Sequence, residues 1–174
     1  MKPNENKGFS RESFGSFVEE HSANLTRYAW HLTGNLETAR EIVQDAFLKL
    51  AKADIEKIRD HLVPWVYAVC RNLAIDRKRK EGKLIMNSKI LIEQTNASKD
   101  PDPASASISS ETRSMLKKCI EDLPEREREV IVLKFQNGLK YRDIARITQL
   151  SESNVGFILH QTIGKLRKSM LRSS

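Results

Sequence analysis

The chain contains the stretch PWVYAVCRNLAIDRKRK, which runs from Pro64 to Lys80. Proline is tolerated at the first position of a helix, and apolar residues then recur at helical spacing. The stretch therefore predicts one helix with an apolar front half and a basic back half. We expect Trp65, Val66, Val69 and Leu73 to be buried, and Tyr67, Arg71, Ala74, Ile75 and Lys78 to face outward. Such a helix suits a polyanion that also has bases to read, and the alternative is a solvated basic helix end.

Composition narrows the class of partner. The 174 residues have a formal net charge of +7 and a pI near 9.5, which favours an anionic partner, with nucleic acid ahead of a membrane surface. The longest apolar run, Trp65–Cys70, is too short to span a bilayer, and no apolar signal segment follows the N-terminus, so we expect no membrane insertion. Cys70 and Cys119 lack ligand spacing, which predicts core thiols in a reducing cytoplasm.

Catalytic and metal chemistry find no support in the sequence. The four histidines show no ligand spacing, and there is no glycine-rich phosphate loop and no nucleophile elbow. We therefore predict no enzyme, no metal and no cofactor.

Helical periodicity predominates and strand signals are nearly absent, so the predicted fold class is all-α. A first helix is predicted over Arg11–Thr33, with Gly34 as its left-handed C-terminal cap. Asn35 can then cap a second helix that runs to about Ala53, and Asp54–Val63 is a short connection to the helix that begins at Pro64.

The predicted second helix is amphipathic. Its core face is Ala39, Ile42, Val43, Ala46, Phe47 and Leu50. Its exposed face holds Glu37, Glu41, Gln44, Asp45 and Leu48, with Arg40 at the flank.

Composition changes after residue 81, where Ser, Asn, Lys, Asp and the prolines of Asp100-Pro-Asp-Pro103 replace periodic apolar spacing. We therefore predict two small helical domains, 9–81 and 111–174, that are joined by a flexible linker over 82–110.

The second domain contains a predicted helix-turn-helix. A short helix over Leu139–Ile147 has Ala145 inward, where crossing helices need a small residue. Thr148–Leu150 forms the turn, and Ser151 can cap the next helix. Its predicted buried face is Val155, Ile158, Leu159, Thr162, Leu166 and Met170, and its predicted outward residues are Asn154, Phe157, Gln161, Lys165 and Lys168.

Such a second helix can read duplex DNA in the major groove, where Asn and Gln pair with adenine and Phe contacts a thymine methyl. Short helix pairs of this kind also occur in proteins that do not bind DNA. Gln149 stands where many such turns have glycine, so either Gln149 takes a positive φ at a cost on the order of 1 kcal/mol or the turn differs.

Three segments in this order resemble the short extracytoplasmic-function (group 4) class of bacterial sigma-70 factors. Ala39–Leu48 is similar to the family's core-polymerase-binding helix. Pro64–Asp76 with its basic tail is similar to the helix that reads and melts the −10 promoter element. Leu123–Leu133 followed by Gly138–Ala145 is similar to the opening of the domain that reads the −35 element.

The resemblance implies an RNA polymerase sigma factor that binds promoter DNA and the clamp helices and flap of core polymerase, under control of an anti-sigma factor or a kinase. It implies that the −10 element is read as a single strand by Arg71, Asn72, Arg77, Lys78, Arg79 and Lys80, with a pocket from Asp54–Leu62. It implies that the −35 element is read by Ser153, Asn154, Phe157, Gln161, Lys165 and Lys168. It also implies that core polymerase is bound by Glu37, Arg40, Glu41, Gln44, Asp45 and Leu48.

The sequence departs from the family pattern in the polymerase-binding helix. The family's acidic cluster is replaced by Thr38, Ala39, Arg40 and Glu41, which should weaken binding to a basic partner surface. One hypothesis is that phosphorylation of Thr38 restores the negative charge and activates the factor. The alternatives are that Glu37, Glu41 and Asp45 suffice, or that the partner surface differs.

Fewer cations at the front of the recognition helix also indicate a different −35 preference. His160 lies beside the exposed face of this helix, where it is either solvated or in contact with a phosphate.

Two other functions stay open: a decoy that occupies a sigma regulator, and a DNA-binding regulator that acts without polymerase. A decoy would bind neither core polymerase nor promoter DNA, whereas the regulator would footprint duplex DNA alone.

Overall fold

The computed structural model describes residues 10–87 and 110–172. Across these two ranges the chain forms helices and turns without any β-strand, as the sequence predicts. The helices are α1 (Arg11–Thr33), α2 (Leu36–Lys52), α3 (Ile55–Ile58), α4 (Leu62–Asn87), α5 (Ser110–Glu121), α6 (Glu125–Ile131), α7 (Tyr141–Thr148) and α8 (Glu152–Arg172). None of these described helices is both long and apolar enough to cross a bilayer.

The chain divides into two compact units. The first contains α1 to α4, and the second contains α5, α6, most of α7, and α8.

The junction between α1 and α2 is fixed by the two predicted caps. Gly34 has φ 72°, and its N–H donates to the Trp30 carbonyl oxygen at 2.8 Å. A residue with a Cβ would be strained in this left-handed conformation, which ends α1. The Asn35 side-chain oxygen then accepts from the Thr38 N–H at 2.9 Å and starts α2. Both cap predictions are confirmed.

The core of the first unit lies between α1, α2 and α4, which pack against one another. Its most buried side chains are Leu25, Tyr28, Ala29, Ala39, Ile42, Ala46, Leu50, Val66, Cys70 and Ala74. Tyr67 is also buried, with its ring centroid 5.3 Å from that of Tyr28. The prediction that Tyr67 and Ala74 face outward is wrong, because α4 buries the face formed by Val66, Tyr67, Cys70 and Ala74.

The segment predicted as a connection, Asp54–Val63, is largely helical. α3 forms one turn whose Ile55 and Ile58 are buried, a 3₁₀ turn follows over Arg59–His61, and α4 begins at Leu62. Pro64 is tolerated because N–H groups in the first turn have no intrahelical partner. α4 continues through Asn87 into the predicted linker, and residues 88–109 of that linker lie outside the described residues.

The second unit has an aliphatic core. Its buried side chains include Val130, Ile131, Val132, Leu133, Ile144, Val155 and Leu159. α6 continues into a π-helical turn over Val132–Gln136, which the Asn137 N–H closes on the Val132 carbonyl at 3.2 Å. Gly138 then has φ 65° and Lys140 is extended. The first helix of the helix-turn-helix therefore begins at Tyr141, two positions after the predicted start.

Candidate functional site

Burial of one side of α2 presents the other side to solvent. The predicted core residues, Ala39, Ile42, Val43, Ala46, Phe47 and Leu50, are all buried. The opposite side is exposed and is called the α2 outer face here; it consists of Glu37, Arg40, Glu41, Gln44, Asp45 and Leu48. Leu48 is 59 % exposed and is the one large apolar side chain in this set.

The α2 outer face is only weakly acidic. Glu37, Glu41 and Asp45 contribute carboxylates, and Arg40 contributes a cation. The Glu41 Oε2 atom also lies 2.8 Å from the Arg77 Nη2 atom of α4. The Arg77 guanidinium therefore partly offsets the charge of Glu41, whereas Glu37 and Asp45 are exposed on the same face.

The polar side chains predicted on α4 are exposed or half-buried. Arg71 is half-buried and Asn72 is exposed. The run Arg77–Lys80, called the α4 basic run here, is exposed at Lys78, Arg79 and Lys80 and half-buried at Arg77. The structure thus places Arg71, Asn72 and the α4 basic run on one helix. The apolar face of the same helix packs in the core of the first unit.

Ion pairs occupy part of the α4 basic run. Arg77 binds Glu41, and the Arg79 Nη2 atom lies 2.8 Å from the Asp76 Oδ1 atom. Asp76 is exposed, and its carboxylate is paired with Arg79 of the same helix. Exposed pairs of this kind are weak, so a phosphate can replace either carboxylate.

Cys70 lies on the opposite, buried side of α4. Burial raises the pKa of its thiol from 9.0 to about 12, so the group stays neutral and unreactive at neutral pH. Burial also raises the pKa of the Tyr67 hydroxyl, with a further contribution from neighbouring Cys70. Cys70 is thus the core thiol that the sequence predicts, while Cys119 is only half-buried.

The turn of the helix-turn-helix follows Thr148, which is the last residue of α7 and not part of the turn as predicted. Ala145 is 8 % exposed, and Gln149 has φ 59° and ψ 35°. The chain therefore keeps the left-handed turn conformation without glycine, the first of the two alternatives for this position. The Ser151 Oγ atom accepts from the Asn154 N–H at 3.2 Å, so Ser151 is the N-cap of α8.

The outward residues predicted on α8 are all exposed. They are Ser153, Asn154, Phe157, Gln161, Lys165 and Lys168. Phe157 is 58 % exposed, whereas Val155, Leu159 and Thr162 on the inner side are almost completely buried. His160 is also exposed.

Lys165 differs from the other outward residues because it has a partner in another helix. Its Nζ atom lies 2.6 Å from Oε1 of Glu127 on α6, and the Thr162 hydroxyl donates to Oε2 of the same carboxylate at 3.2 Å. Glu127 thus anchors α8 to α6. Sequence reasoning missed this role, because a contact between residues 38 positions apart leaves no local pattern.

Within residues 10–87 and 110–172 no group of three or more His, Cys, Asp and Glu side chains is arranged to hold an ion.

Family comparisons match both units. The family model for Sigma-70 region 2 matches residues 17–84, and the model for Sigma-70, region 4 matches residues 113–166. The two matches together span most of the chain, in the order of the two units.

Curated relatives resemble nearly the whole chain. The ECF RNA polymerase sigma factor SigW of Bacillus subtilis is 27 % identical, with 92 % of this chain and 90 % of that protein aligned. RNA polymerase sigma factor YlaC of the same species is 26 % identical over 94 % of this chain and 95 % of its own length. The ECF sigma factor SigL of Mycobacterium tuberculosis is 28 % identical over 89 % and 87 %.

Solved structures share the fold. Sigma factor RpoE of Bartonella quintana, solved with the anti-sigma factor NepR, gives a TM-score of 0.68 at 22 % identity, covering 91 % of this chain and 97 % of that one. CnrH, solved with the cytosolic domain of CnrY, gives 0.65 at 20 % identity, covering 97 % and 94 %. The chain therefore belongs to the ECF class of the sigma-70 family, the RNA polymerase sigma factors of transcription initiation, which are not enzymes.

Proposed function

We propose that this chain binds core RNA polymerase through the α2 outer face, reads duplex −35 DNA with α8, and melts and reads the −10 element with α4. The observation that most supports the proposal is the Glu41–Arg77 ion pair of 2.8 Å, which joins a residue of the α2 outer face to the α4 basic run. A polymerase-binding surface and a cationic strand-binding surface adjoin within one unit. An element that must be melted on the polymerase requires this arrangement.

The −10 element is single-stranded once its bases are unpaired. Single strands are bound by cations that follow the backbone and by groups that receive flipped bases. Arg71 and Asn72 are assigned to the bases and the α4 basic run to the phosphates. The turn of Asp54–Leu62 supplies the side of the pocket, and it is held in place by buried Ile55 and Ile58.

The −35 element is assigned to α8, with Ser153, Asn154, Phe157 and Gln161 at base edges and Lys168 at a phosphate. Residues at the start of a recognition helix reach base edges, and later cations reach the backbone. Lys165 is assigned to a phosphate only when it leaves Glu127.

Permanganate reactivity of promoter thymines tests the −10 assignment, because it reports unpaired bases. With core polymerase of the same bacterium and a promoter that the factor activates, Arg79→Gln/Lys80→Gln should reduce −10 reactivity several-fold without weakening core binding. Lys49→Gln/Lys52→Gln removes the same charge from exposed sites at the end of α2 and is the matched control. Equal losses in the two variants would contradict the assignment, and no promoter opening by the wild type would contradict the proposed function itself.

Phosphorylation of Thr38 is proposed as the activating step. Thr38 lies in the first turn of α2, beside Glu37 and Arg40, and its N–H is already capped by Asn35. A phosphate adds up to about two negative charges, and the positive end of a helix dipole favours it at this position. The modification would restore the acidity that the α2 outer face lacks.

Transcription of a target promoter in the cell tests this step. Thr38→Ala should reduce transcription and Thr38→Glu should preserve part of it. Thr26→Ala is the control, because it removes a threonine hydroxyl that donates to the Ser22 carbonyl oxygen within α1. If Thr38→Ala transcribes as well as wild type, Thr38 is not the switch.

The partners in this proposal are the clamp helices and flap of core polymerase, promoter DNA, and an anti-sigma factor or kinase as regulator. The site of action is the cytoplasm, where RNA polymerase and the chromosome are found.

A further inference from the structure

We propose that α8 recognises an A·T-rich stretch of the −35 duplex and rejects guanine at the positions it contacts, through Asn154, Phe157 and Gln161. This inference rests on the proposed function, in which α8 enters the major groove. It names the base chemistry that the helix reads.

The three side chains form one line along the exposed side of α8, called the α8 outer stripe here. Their spacing of three and four positions places them on adjacent turns of one helix face. All three are exposed, and Phe157 is 58 % exposed although it is a large aromatic residue. The opposite side is fixed in the core by Val155 and Leu159.

The start of α8 is capped by Ser151. The Ser151 hydroxyl accepts from the Asn154 N–H, and the Ser151 carbonyl accepts from the Val155 N–H at 3.0 Å. The cap fixes the residue at which α8 begins, and so sets the position of the α8 outer stripe relative to the turn.

The charge of this region determines which bases the helix can read. Residues 147–164 contain no lysine or arginine, and Glu152 in the first turn is acidic. The first cation of α8 is Lys165, whose Nζ atom is bound to Glu127 at 2.6 Å. Guanine is read in the major groove chiefly by a cation that donates to its O6 and N7 atoms. The α8 outer stripe lacks such a donor.

The side chains that are present complement A·T pairs. The amides of Asn154 and Gln161 can each accept from adenine N6 and donate to adenine N7. The Phe157 ring can cover the C5-methyl group of thymine, which guanine and cytosine lack. With two amides flanking one ring, the stripe matches neighbouring A·T pairs.

A selection experiment tests the base preference. A promoter with a fixed −10 region and a randomised −35 window is incubated with core polymerase and the full-length protein, and the DNA in heparin-resistant complexes is sequenced. Adenine and thymine should be enriched roughly five-fold or more over guanine and cytosine at two or more neighbouring positions. Enrichment of guanine or cytosine there would overturn the inference and leave the −35 function intact. A lack of any enrichment would overturn both.

Single-atom changes in the selected site then assign the contacts. Replacing thymine by deoxyuridine removes only a methyl group and should weaken wild-type binding about three- to four-fold. Phe157→Ala should abolish that difference. Ile163→Ala removes an apolar side chain, 37 % exposed, from another face of α8. This variant should still bind the thymine site more tightly than the deoxyuridine site. Replacing adenine by 7-deazaadenine removes only N7 and should weaken the wild type but not Asn154→Ala/Gln161→Ala. Equal sensitivity of all proteins to both changes would overturn the assignment.

Discussion

The Arg77 guanidinium donates to the Glu41 carboxylate across 2.8 Å, and so connects α4 to the α2 outer face. The side chains are 40 % and 59 % exposed, so the pair contributes little to the free energy of folding. In the proposed function each residue has a second partner, because a polymerase cation competes for Glu41 and a DNA phosphate competes for Arg77. Binding of polymerase to Glu41 therefore frees Arg77 for DNA, and binding of DNA to Arg77 frees Glu41 for polymerase.

Arg77→Gln should tighten binding of the free protein to core polymerase, because it releases Glu41. The pair is worth about 0.2–1 kcal/mol, so the gain should not exceed about five-fold. Fluorescence anisotropy with labelled protein at low salt measures it in the absence of DNA. Lys80→Gln removes the same charge from an exposed site and measures the general effect of net charge. If the two variants bind core equally, Glu41 is not released by loss of Arg77.

Lys165→Gln and Lys168→Gln should differ in the salt dependence of −35 duplex binding. Each phosphate contact adds about 0.9 to the slope of log K against log salt concentration. Lys168→Gln should lower the slope by about that amount. Lys165→Gln should change it little, because Lys165 binds Glu127. Equal decreases in slope would show that Lys165 leaves Glu127 for DNA.

Gln149→Gly should stabilise the second unit by roughly 0.5 to 1 kcal/mol. Gln149 has φ 59°, where a Cβ is unfavourable by about 1–2 kcal/mol, and part of the relief is offset by the greater entropy of glycine in the unfolded chain. Urea unfolding followed by circular dichroism measures the change. Gln149→Ala keeps the Cβ and should give no such gain, so a gain in both variants would point to the amide and not to the backbone.

Alkaline pH should destabilise the first unit through Cys70. The folded state holds the thiol pKa at about 12, above the unfolded value of 9.0. Because the folded pKa is the higher one, this stability is complete below pH 9 and is lost as pH rises towards 12. Between these pH values the free energy of unfolding should fall by about 1.4 kcal/mol per pH unit for one thiol. The Tyr67 hydroxyl adds to this decrease above pH 10.

Urea midpoints between pH 8 and pH 11 measure this dependence. Cys70→Ala should have a shallower dependence than wild type above pH 9, even if its overall stability is lower. Cys119→Ala, which removes the half-buried thiol, should follow the wild type. An unchanged slope in Cys70→Ala would contradict the role of the buried thiol.

Local signals predicted much of the fold. The bounds of α1, the left-handed Gly34, the Asn35 cap and the core face of α2 all depend on residues within a few positions of one another. The outer residues of α2 and α8 were predicted for the same reason, because an apolar stripe at helical spacing also defines the opposite side.

The errors and omissions involve distant partners. α4 has apolar residues on more than one side, so its buried face depends on where α1 places Tyr28, and Tyr67 was assigned to the wrong side. The ion pairs Glu41–Arg77 and Glu127–Lys165 join residues 36 and 38 positions apart. Such pairs follow from the packing of helices, which no local pattern encodes.

In vitro transcription with purified core polymerase, comparing wild type with Arg40→Glu, tests the central claim most directly. Arg40 is an exposed cation on the α2 outer face, next to Glu41. The proposed function predicts promoter-specific transcripts with wild type and a several-fold increase with Arg40→Glu, because the added carboxylate strengthens contact with a basic partner surface. Absence of promoter-dependent transcripts from both proteins, on a range of templates, would contradict it.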